Sequence, residues 1–149
     1  MSEEIRCIVA GSRGFDNCDV MERVLNRCFR DAEERGDEIT IISGGARGAD
    51  SQGEVYAHEF HYALERYPAN WDLYGNSAGY RRNEEMARIA THLVAFWDGK
   101  SKGTRHMIDL AVEADREVRV FDFDGVCRYI KHAGCEWNEH STGECPIDE

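Results

Sequence analysis

Short β-branched runs alternate with helical patterns along most of this chain. Five runs predict strands, at residues 5–11, 38–44, 62–68, 91–99 and 117–123. Helical spacing with flanking caps and stops predicts helices over about 17–36, 50–60, 78–90 and 103–115, with residues 70–80 as a loop. Because parallel neighbouring strands need a crossover connection, this alternation predicts a doubly wound, Rossmann-like parallel sheet of about five strands.

The size and composition are those of a single globular domain. The chain has 149 residues, 42% of them hydrophobic, with two prolines and no internal repeat. It contains no apolar run long enough to cross a bilayer and no pattern of a cleavable leader. We therefore expect a cytoplasmic protein without a membrane partner, in which the six cysteines are reduced.

The net charge of the chain limits the kinds of molecule that the protein is expected to bind. Lys and Arg number 18 against 29 Asp and Glu, so the formal charge is −11. Such a chain repels polyphosphate backbones unless its cations gather on one face, and duplex nucleic acid is not expected as a partner. Six basic residues do lie in glycine-bearing segments: Arg13, Arg47, Arg81, Arg82, Lys100 and Lys102. That arrangement suits a small anionic ligand.

Three of the predicted strands end in glycine-rich stretches. These stretches read "AGSRGF", "SGGARGAD" and "WDGKSKGT". Loops that follow parallel strands emerge at the same edge of the sheet, where doubly wound sheets bind their ligands. Glycine permits positive φ and lets a backbone N–H approach a phosphate closely. The three stretches therefore predict one crevice for a phosphate or a nucleotide.

Four ordered motifs carry a family resemblance. "VAGSRGF", "SGGARGAD", "YPANWDLYGNSAGYRRNEEMA" and "VAFWDGKSKGT" together resemble the SLOG superfamily, in its DUF2493 or YpsA-like branch, over about residues 5–123. That superfamily is named for the Smf/DprA proteins and the Lonely Guy (LOG) phosphoribohydrolases. The resemblance implies a Rossmann-like nucleotide-binding domain over residues 1–123, a homo-oligomer, and a ligand such as ADP-ribose, NAD or a cyclic nucleotide. It also implies a place in nucleotide signalling or in conflict between bacteria and phages.

The loops and the resemblance together predict a set of ligand-binding residues. Candidates on the first two loops are Gly11, Ser12, Arg13, Gly44, Gly45, Arg47, Gly48 and Asp50. Candidates from the helix over 78–90 onward are Arg81, Arg82, Asn83, Asp98, Gly99, Ser101, Gly103 and Thr104. We expect the phosphate to lie near Arg82 and the start of the last helix, where free N–H groups favour an anion.

Comparison with the catalytic residues of the LOG enzymes indicates whether this chain could carry out the same hydrolysis. Their catalytic arginine precedes a helix methionine by four residues, and Arg82 matches it ahead of Met86. Their catalytic glutamate follows the glycine-rich loop's threonine by three residues, where this chain has Met107. A thioether cannot act as a general base, so hydrolysis by the same pair is not expected. Substitutes would have to come from carboxylates such as Asp98, Asp109 or Glu85.

Two functions of different classes follow from this pattern. The first is a module that senses or sequesters a nucleotide-derived small anion, with no cofactor required. The second is an enzyme that cleaves an N-glycosidic bond, with Arg82 in a catalytic role. A DNA-binding role like that of the Smf/DprA proteins ranks third, because the net charge opposes it.

Several of these residues also have structural interpretations. Ser12 and Arg13 could cap the first helix and pair with surface carboxylates, and Asp50 could cap the second helix rather than bind a ribose hydroxyl. Ser101 and Thr104 could be ordinary cap residues of the last helix.

The aromatic residues near the loops carry alternatives as well. Trp71 and Tyr74 could stack on a base or pack under their own loop, with packing favoured. Trp97, at the end of a strand, is interpreted as structural.

Residues 124–149 form an acidic extension that contains Cys and His. His132, Cys135, His140 and Cys145 are separated by two, four and four residues, which is the ligand spacing of a zinc knuckle. Its usual glycines are out of place, and the favoured alternative is an acidic tail that packs on the domain through Trp137. Zinc is thus the one metal for which the sequence offers a ligand set.

Overall fold

The computed structural model describes residues 3–133 and shows a mostly parallel sheet between two layers of helices. The strands are β1 (Glu4–Gly11), β2 (Glu38–Ser43), β3 (Ala63–Arg66), β4 (His92–Phe96), β5 (Glu117–Phe121) and β6 (Cys127–Lys131). The helices are α1 (Cys18–Arg35), α2 (Ala49–Glu59), α3 (Trp71–Tyr74), α4 (Ala78–Ile89) and α5 (Lys102–Glu113), with a 3₁₀ turn at Gly75–Ser77. The predicted Rossmann-like α/β fold is confirmed. No helix within the described range is long and apolar enough to span a membrane.

The strand order is β3-β2-β1-β4-β5-β6, and the first five strands are parallel. The chain moves outward from β1 to β3 and then crosses back to place β4 on the other side of β1. This reversal leaves a crevice between the loops that follow β1 and β4. The position of the crevice is therefore a consequence of the topology.

The sheet extends beyond the five predicted strands. β6 pairs antiparallel with β5, with Val118 opposite Lys131. Its residues come from the segment that the sequence analysis assigned to the acidic extension. The run "CRYIK" buries Cys127, Ile130 and Lys131 without a regular alternation and includes two charged residues, so neither strand pattern marks it in the sequence.

Both faces of the sheet are buried, which explains the continuous apolar runs. On β1, Cys7 and Val9 face the layer that contains α1 and α2. The alternate residues Ile8 and Ala10 face the layer of α4 and α5. Strands covered on both sides need apolar residues at every position.

Local signals at the ends of α1 act as predicted. The side chain of Asn17 accepts a hydrogen bond from Val20 N, and Gly36 ends the helix in the left-handed region at φ 76°.

The prediction of a loop over residues 70–80 was wrong. Asn70 caps α3 by accepting from Leu73 N, the 3₁₀ turn follows, and α4 begins at Ala78. A single helical turn that buries none of its residues has no apolar period to reveal it.

Candidate functional site

A cleft of about 440 Å³ opens at the carboxyl ends of β1 and β4. Its volume falls within the range of small-molecule sites. Its lining comes from the end of β1 and the loop after it, the loop before α2 and its first turn, the α3–α4 segment, and the start of α5. These are the segments that the glycine-rich stretches and the long third motif occupy.

Many of the predicted site residues line this cleft. They are Gly11, Ser12, Arg13, Asp50, Arg82, Asn83, Ser101, Gly103 and Thr104. Residues more than 90 positions apart in the chain thus meet at one edge of the sheet, as the topology argument predicted.

Arg82 is half-buried and held at two points. Its Nη1 donates to the carbonyl of Gly44, and its Nε donates to Asn83 Oδ1 at 3.1 Å. Asn83 in turn donates to the carbonyl of Gly103 at 3.2 Å, which ties α4 to the start of α5. Burial lowers the pKa of Arg82, the nearby Asp50 raises it, and the positive charge of Arg13 lowers it again.

Arg13 is an exposed cation on the opposite loop. Its guanidinium makes no hydrogen bond or ion pair with any residue in the described range. The alternative in which Ser12 and Arg13 cap the first helix is wrong, because Asn17 caps α1. Arg13 and Arg82 are therefore two guanidinium groups that line one cleft and repel each other.

Asp50 lies in the first turn of α2 and is 6% exposed. Its Oδ2 accepts a hydrogen bond from Ala46 N at 3.2 Å. Burial raises its pKa to about 6, against the opposing effects of that hydrogen bond and of Arg82. It is not the N-cap, since Gly48 occupies that position.

A hydrogen-bond cluster joins the loop after β1 to the loop after β4. Ser12 Oγ accepts from Ser101 Oγ at 2.9 Å and from Asp98 N at 3.2 Å. Ser101 holds the N-cap position of α5 but makes no side-chain hydrogen bond to that helix, so it is not an ordinary cap. The side chain of Ser101 therefore accepts no hydrogen bond from the first-turn N–H groups of α5.

The remaining predicted residues lie outside the cleft lining. They are Gly44, Gly45, Arg47, Gly48, Arg81, Asp98 and Gly99. Asp98 accepts from the backbone N–H groups of Lys100 and Ser101 at 2.8 Å, so it shapes its own turn, in which Gly99 adopts φ 80°. Gly45 and Arg47 are exposed on the outer side of their loop.

Gly48 and Arg81 have identifiable structural partners. Gly48 adopts φ 80°, and a Cβ there would lie 2.5 Å from the carbonyl oxygen of Ser12, so this glycine lets two loops approach each other. Arg81 donates to Ser77 Oγ at 3.2 Å and lies 4.4 Å from the centre of the Tyr74 ring, in a neighbouring groove.

Of the lining residues that were missing from the predicted set, three carry an aromatic ring or an amide: Trp71, Asn76 and Tyr80. Packing under the loop is wrong for Trp71 and Tyr74, which are 53% and 42% exposed. The available signal was a cluster of aromatic residues between a strand and a helix, with no apolar period to bury them. Trp97 fits its structural interpretation, since its Nε1 donates to the carbonyl of Ser101 at 3.0 Å.

The carboxylates named as catalytic substitutes do not reach the cleft. Asp98 shapes its turn, Asp109 lies 3.9 Å from Arg105, and Glu85 lines the neighbouring groove. Met107 does line the cleft and is almost completely buried. Within residues 3–133, Asp50 is the only carboxylate among the lining residues.

Of the predicted zinc ligands, only His132 lies in the described range. Its Nδ1 is 3.0 Å from Glu117 Oε2. Cys135, His140 and Cys145 lie outside the described residues, and residues 3–133 contain no group of three metal-ligating side chains. The zinc site stays a prediction.

Comparison with known proteins places this chain in a family. The sequence profile of the YspA, cpYpsA-related SLOG family matches residues 5–74. The Gene 61 protein of Mycobacterium phage D29 is 32% identical over 116 residues, which cover 73% of this chain and 90% of that protein. The chain belongs to the YspA, cpYpsA-related SLOG family.

A solved structure shows the same fold. The X-ray structure of DNA processing protein A (DprA) from Streptococcus pneumoniae superposes with a TM-score of 0.61 at 16% sequence identity. The match covers 94% of this chain and 54% of that one, so the chain spans about half the length of DprA. At this identity the likeness concerns the fold alone.

Proposed function

We propose that this protein binds a nucleotide-derived small anion in the cleft and acts as a sensor or a sequestering protein. The observation that carries the proposal is the pair Arg13 and Arg82, which line one cleft and form no ion pair with a carboxylate of residues 3–133. Two guanidinium groups that form no direct ion pair favour an anion between them, because it relieves their repulsion and accepts charge-assisted hydrogen bonds.

The start of α5 adds a second source of positive potential. Gly103 and Thr104 line the cleft in the first helical turn, where N–H groups and the helix dipole favour a phosphate. The phosphate end of the ligand therefore lies between Arg82 and α5.

Size and charge favour a small molecule over a nucleic acid. The cleft holds about 440 Å³, and a formal charge of −11 opposes a long polyanion. The name of DprA refers to DNA processing, but the acidic balance of this chain argues against DNA as its main ligand. Membership of a SLOG family supports binding or processing of a nucleotide-related molecule.

The test is a panel of AMP, ADP-ribose, NAD and a cyclic ADP-ribose, with binding measured by thermal shift and calorimetry. We expect at least one compound to raise the melting temperature and to be recovered intact by mass spectrometry. The Arg13→Ala/Arg82→Ala double variant, folded by circular dichroism, is expected to lose that shift. Equal binding by the wild type and this variant would contradict the proposal.

One observation favours a second candidate, the cleavage of an N-glycosidic bond. Asp50 lines the cleft next to Arg82, and its pKa is raised to about 6, which suits a general acid or base. The oxygen of water would form a bond to C1′ as the C1′–N bond breaks; Asp50 would take a proton from the water and pass it to the departing nitrogen, so that the base leaves neutral and the sugar keeps the hydroxyl. Released base or ribose phosphate that disappears in Asp50→Asn would establish this activity, whereas full recovery of every nucleotide would exclude it for the panel.

Two properties that the resemblance and the sequence imply complete the proposal. We propose a homo-oligomer, to be tested by light scattering at several concentrations. We also propose a cytoplasmic location, to be tested by fractionation of the native host.

A further inference from the structure

Two aromatic side chains and an amide line the outer part of the cleft. Trp71 is 53% exposed and Tyr80 is 44% exposed, although large aromatic residues usually bury most of their surface. Asn76 lies between them in sequence and lines the same cleft. We name these three residues the aromatic rim.

The rings of the rim are positioned by neighbouring helices. Tyr80 packs edge-to-face against His106 of α5, with the ring centres 4.6 Å apart and the planes at 89°. Trp71 follows the capping residue Asn70 directly, and its Cη2 would lie 3.5 Å from a Cβ on Gly79. A ligand that stacks on rings already held in place loses little binding energy to side-chain ordering.

The rim adjoins the cationic part of the cleft. The same hypothetical Cβ on Gly79 would lie 3.9 Å from Arg82 Nη2. The indole of Trp71 and the guanidinium of Arg82 both approach this one glycine, so a single small ligand can contact both groups.

The polar atoms of the rim have unused hydrogen-bonding capacity. The Asn76 amide, the Tyr80 hydroxyl and the Trp71 indole N–H form no hydrogen bond to another residue of the range 3–133. An amide offers a donor beside an acceptor, which is what the edge of a nucleobase presents. A flat ring with polar edges fits this part of the cleft better than an aliphatic group does.

We propose that the aromatic rim is a nucleobase site, so that the ligand is a nucleotide whose base stacks on Trp71 while its phosphate lies at Arg82 and α5. This proposal rests on the proposed function and adds to it the class and the orientation of the ligand. It also assigns Trp71 a role in specificity.

The test compares AMP, GMP, CMP and UMP with ribose 5-phosphate, which has the same phosphate and sugar but no base. Because stacking on an aromatic side chain strengthens binding about 5- to 150-fold, we expect the tightest mononucleotide to exceed ribose 5-phosphate by such a factor in calorimetry. Trp71→Ala should remove most of that factor and change the affinity for ribose 5-phosphate less than about twofold. Trp71→Phe, which keeps a ring, should retain most of the factor.

Leu73→Ala is the matched control. Leu73 lies on the same short helix and is 66% exposed, but it does not line the cleft. Its variant should bind every compound as the wild type does.

Different binding results would contradict different parts of the proposal. Equal affinity for ribose 5-phosphate and all four mononucleotides would overturn the base site and leave the anion site standing. Equal losses for both kinds of compound in Trp71→Ala would show a structural role for Trp71 and overturn its assignment. No binding of any of the five compounds to the wild type would overturn the base site, whereas the proposed function would be overturned only if the wild type also failed to bind ADP-ribose, NAD and the cyclic ADP-ribose.

Discussion

Gly44 accepts a hydrogen bond from Arg82 and leaves room for its guanidinium group. A Cβ at position 44 would lie 2.5 Å from Arg82 Nη1 and 2.9 Å from Asp50 Oδ2. The absence of a side chain in this glycine-rich loop therefore serves an arginine of α4 directly, and a ligand only through that arginine.

Gly44→Ala should displace Arg82, because a methyl group and the guanidinium cannot occupy the same space. We expect a loss of stability of about 1–3 kcal/mol, as for other overpacked sites, together with weaker ligand binding. Urea denaturation and calorimetry measure the two effects. Gly14→Ala is the control for the stability measurement, since a Cβ at Gly14 meets nothing within 4 Å. Unchanged ligand affinity in Gly44→Ala would show that the position of Arg82 does not matter for binding.

Arg82→Ala should weaken binding of the anionic ligand by about 1.5–3 kcal/mol, the value of a charge-assisted contact with a buried component. The neighbouring variant Arg81→Ala should have little effect, because Arg81 lies in another groove against Tyr74. Calorimetry on both variants compares two arginines that are adjacent in sequence. An unaltered dissociation constant in Arg82→Ala would remove Arg82 from the site.

Asp50 should make stability depend on pH in a defined direction. Its pKa is about 6 in the folded protein, above the unfolded value of about 3.9, so the folded state binds more protons between these values. The contribution of Asp50 to the free energy of unfolding is therefore fully present below about pH 4 and is lost as the pH rises through about 6.

Asp50→Asn should consequently be more stable than the wild type at pH 7.5. The gain is up to about 3 kcal/mol, because the pKa of Asp50 is about two units higher in the folded protein than in the unfolded chain. The difference should shrink towards zero at pH 4, where the wild-type carboxyl is protonated. Urea denaturation at the two pH values measures it. A difference that is the same at both pH values would assign the effect to packing instead of charge.

Gly79 should tolerate a methyl group but not a large side chain. In Gly79→Ala the new Cβ makes ordinary contacts, at 3.5 Å with Trp71 and 3.9 Å with Arg82. Because alanine has a higher helix propensity than glycine, the free energy of unfolding should rise by up to about 1 kcal/mol. Gly79→Leu should instead fill the floor of the cleft and abolish ligand binding while the protein stays folded. Thermal melting and calorimetry separate the two effects, and undiminished binding by Gly79→Leu would place the ligand elsewhere.

The amino-acid pattern was enough to predict the fold class and the edge of the sheet where the cleft lies. Apolar runs and helical spacing reflect local hydrogen bonding and two-sided burial, so β1, β2, β4, β5 and the long helices were predictable. The parallel topology then required the loops after β1 and β4 to converge, and Ser12 and Ser101 do meet there at 2.9 Å.

Which side chains face the cleft depends instead on how the helices and loops pack on the sheet. Arg81 and Arg82 are equivalent in sequence, but successive helical residues point about 100° apart, and the packing of α4 turns one of them into the cleft. Trp71 is exposed because α3 is too short to bury a face, and Gly44 is constrained by a residue 38 positions away. Side-chain direction and close approach between distant segments depend on how the helices and strands pack together. The local periodicity of apolar residues does not specify that packing.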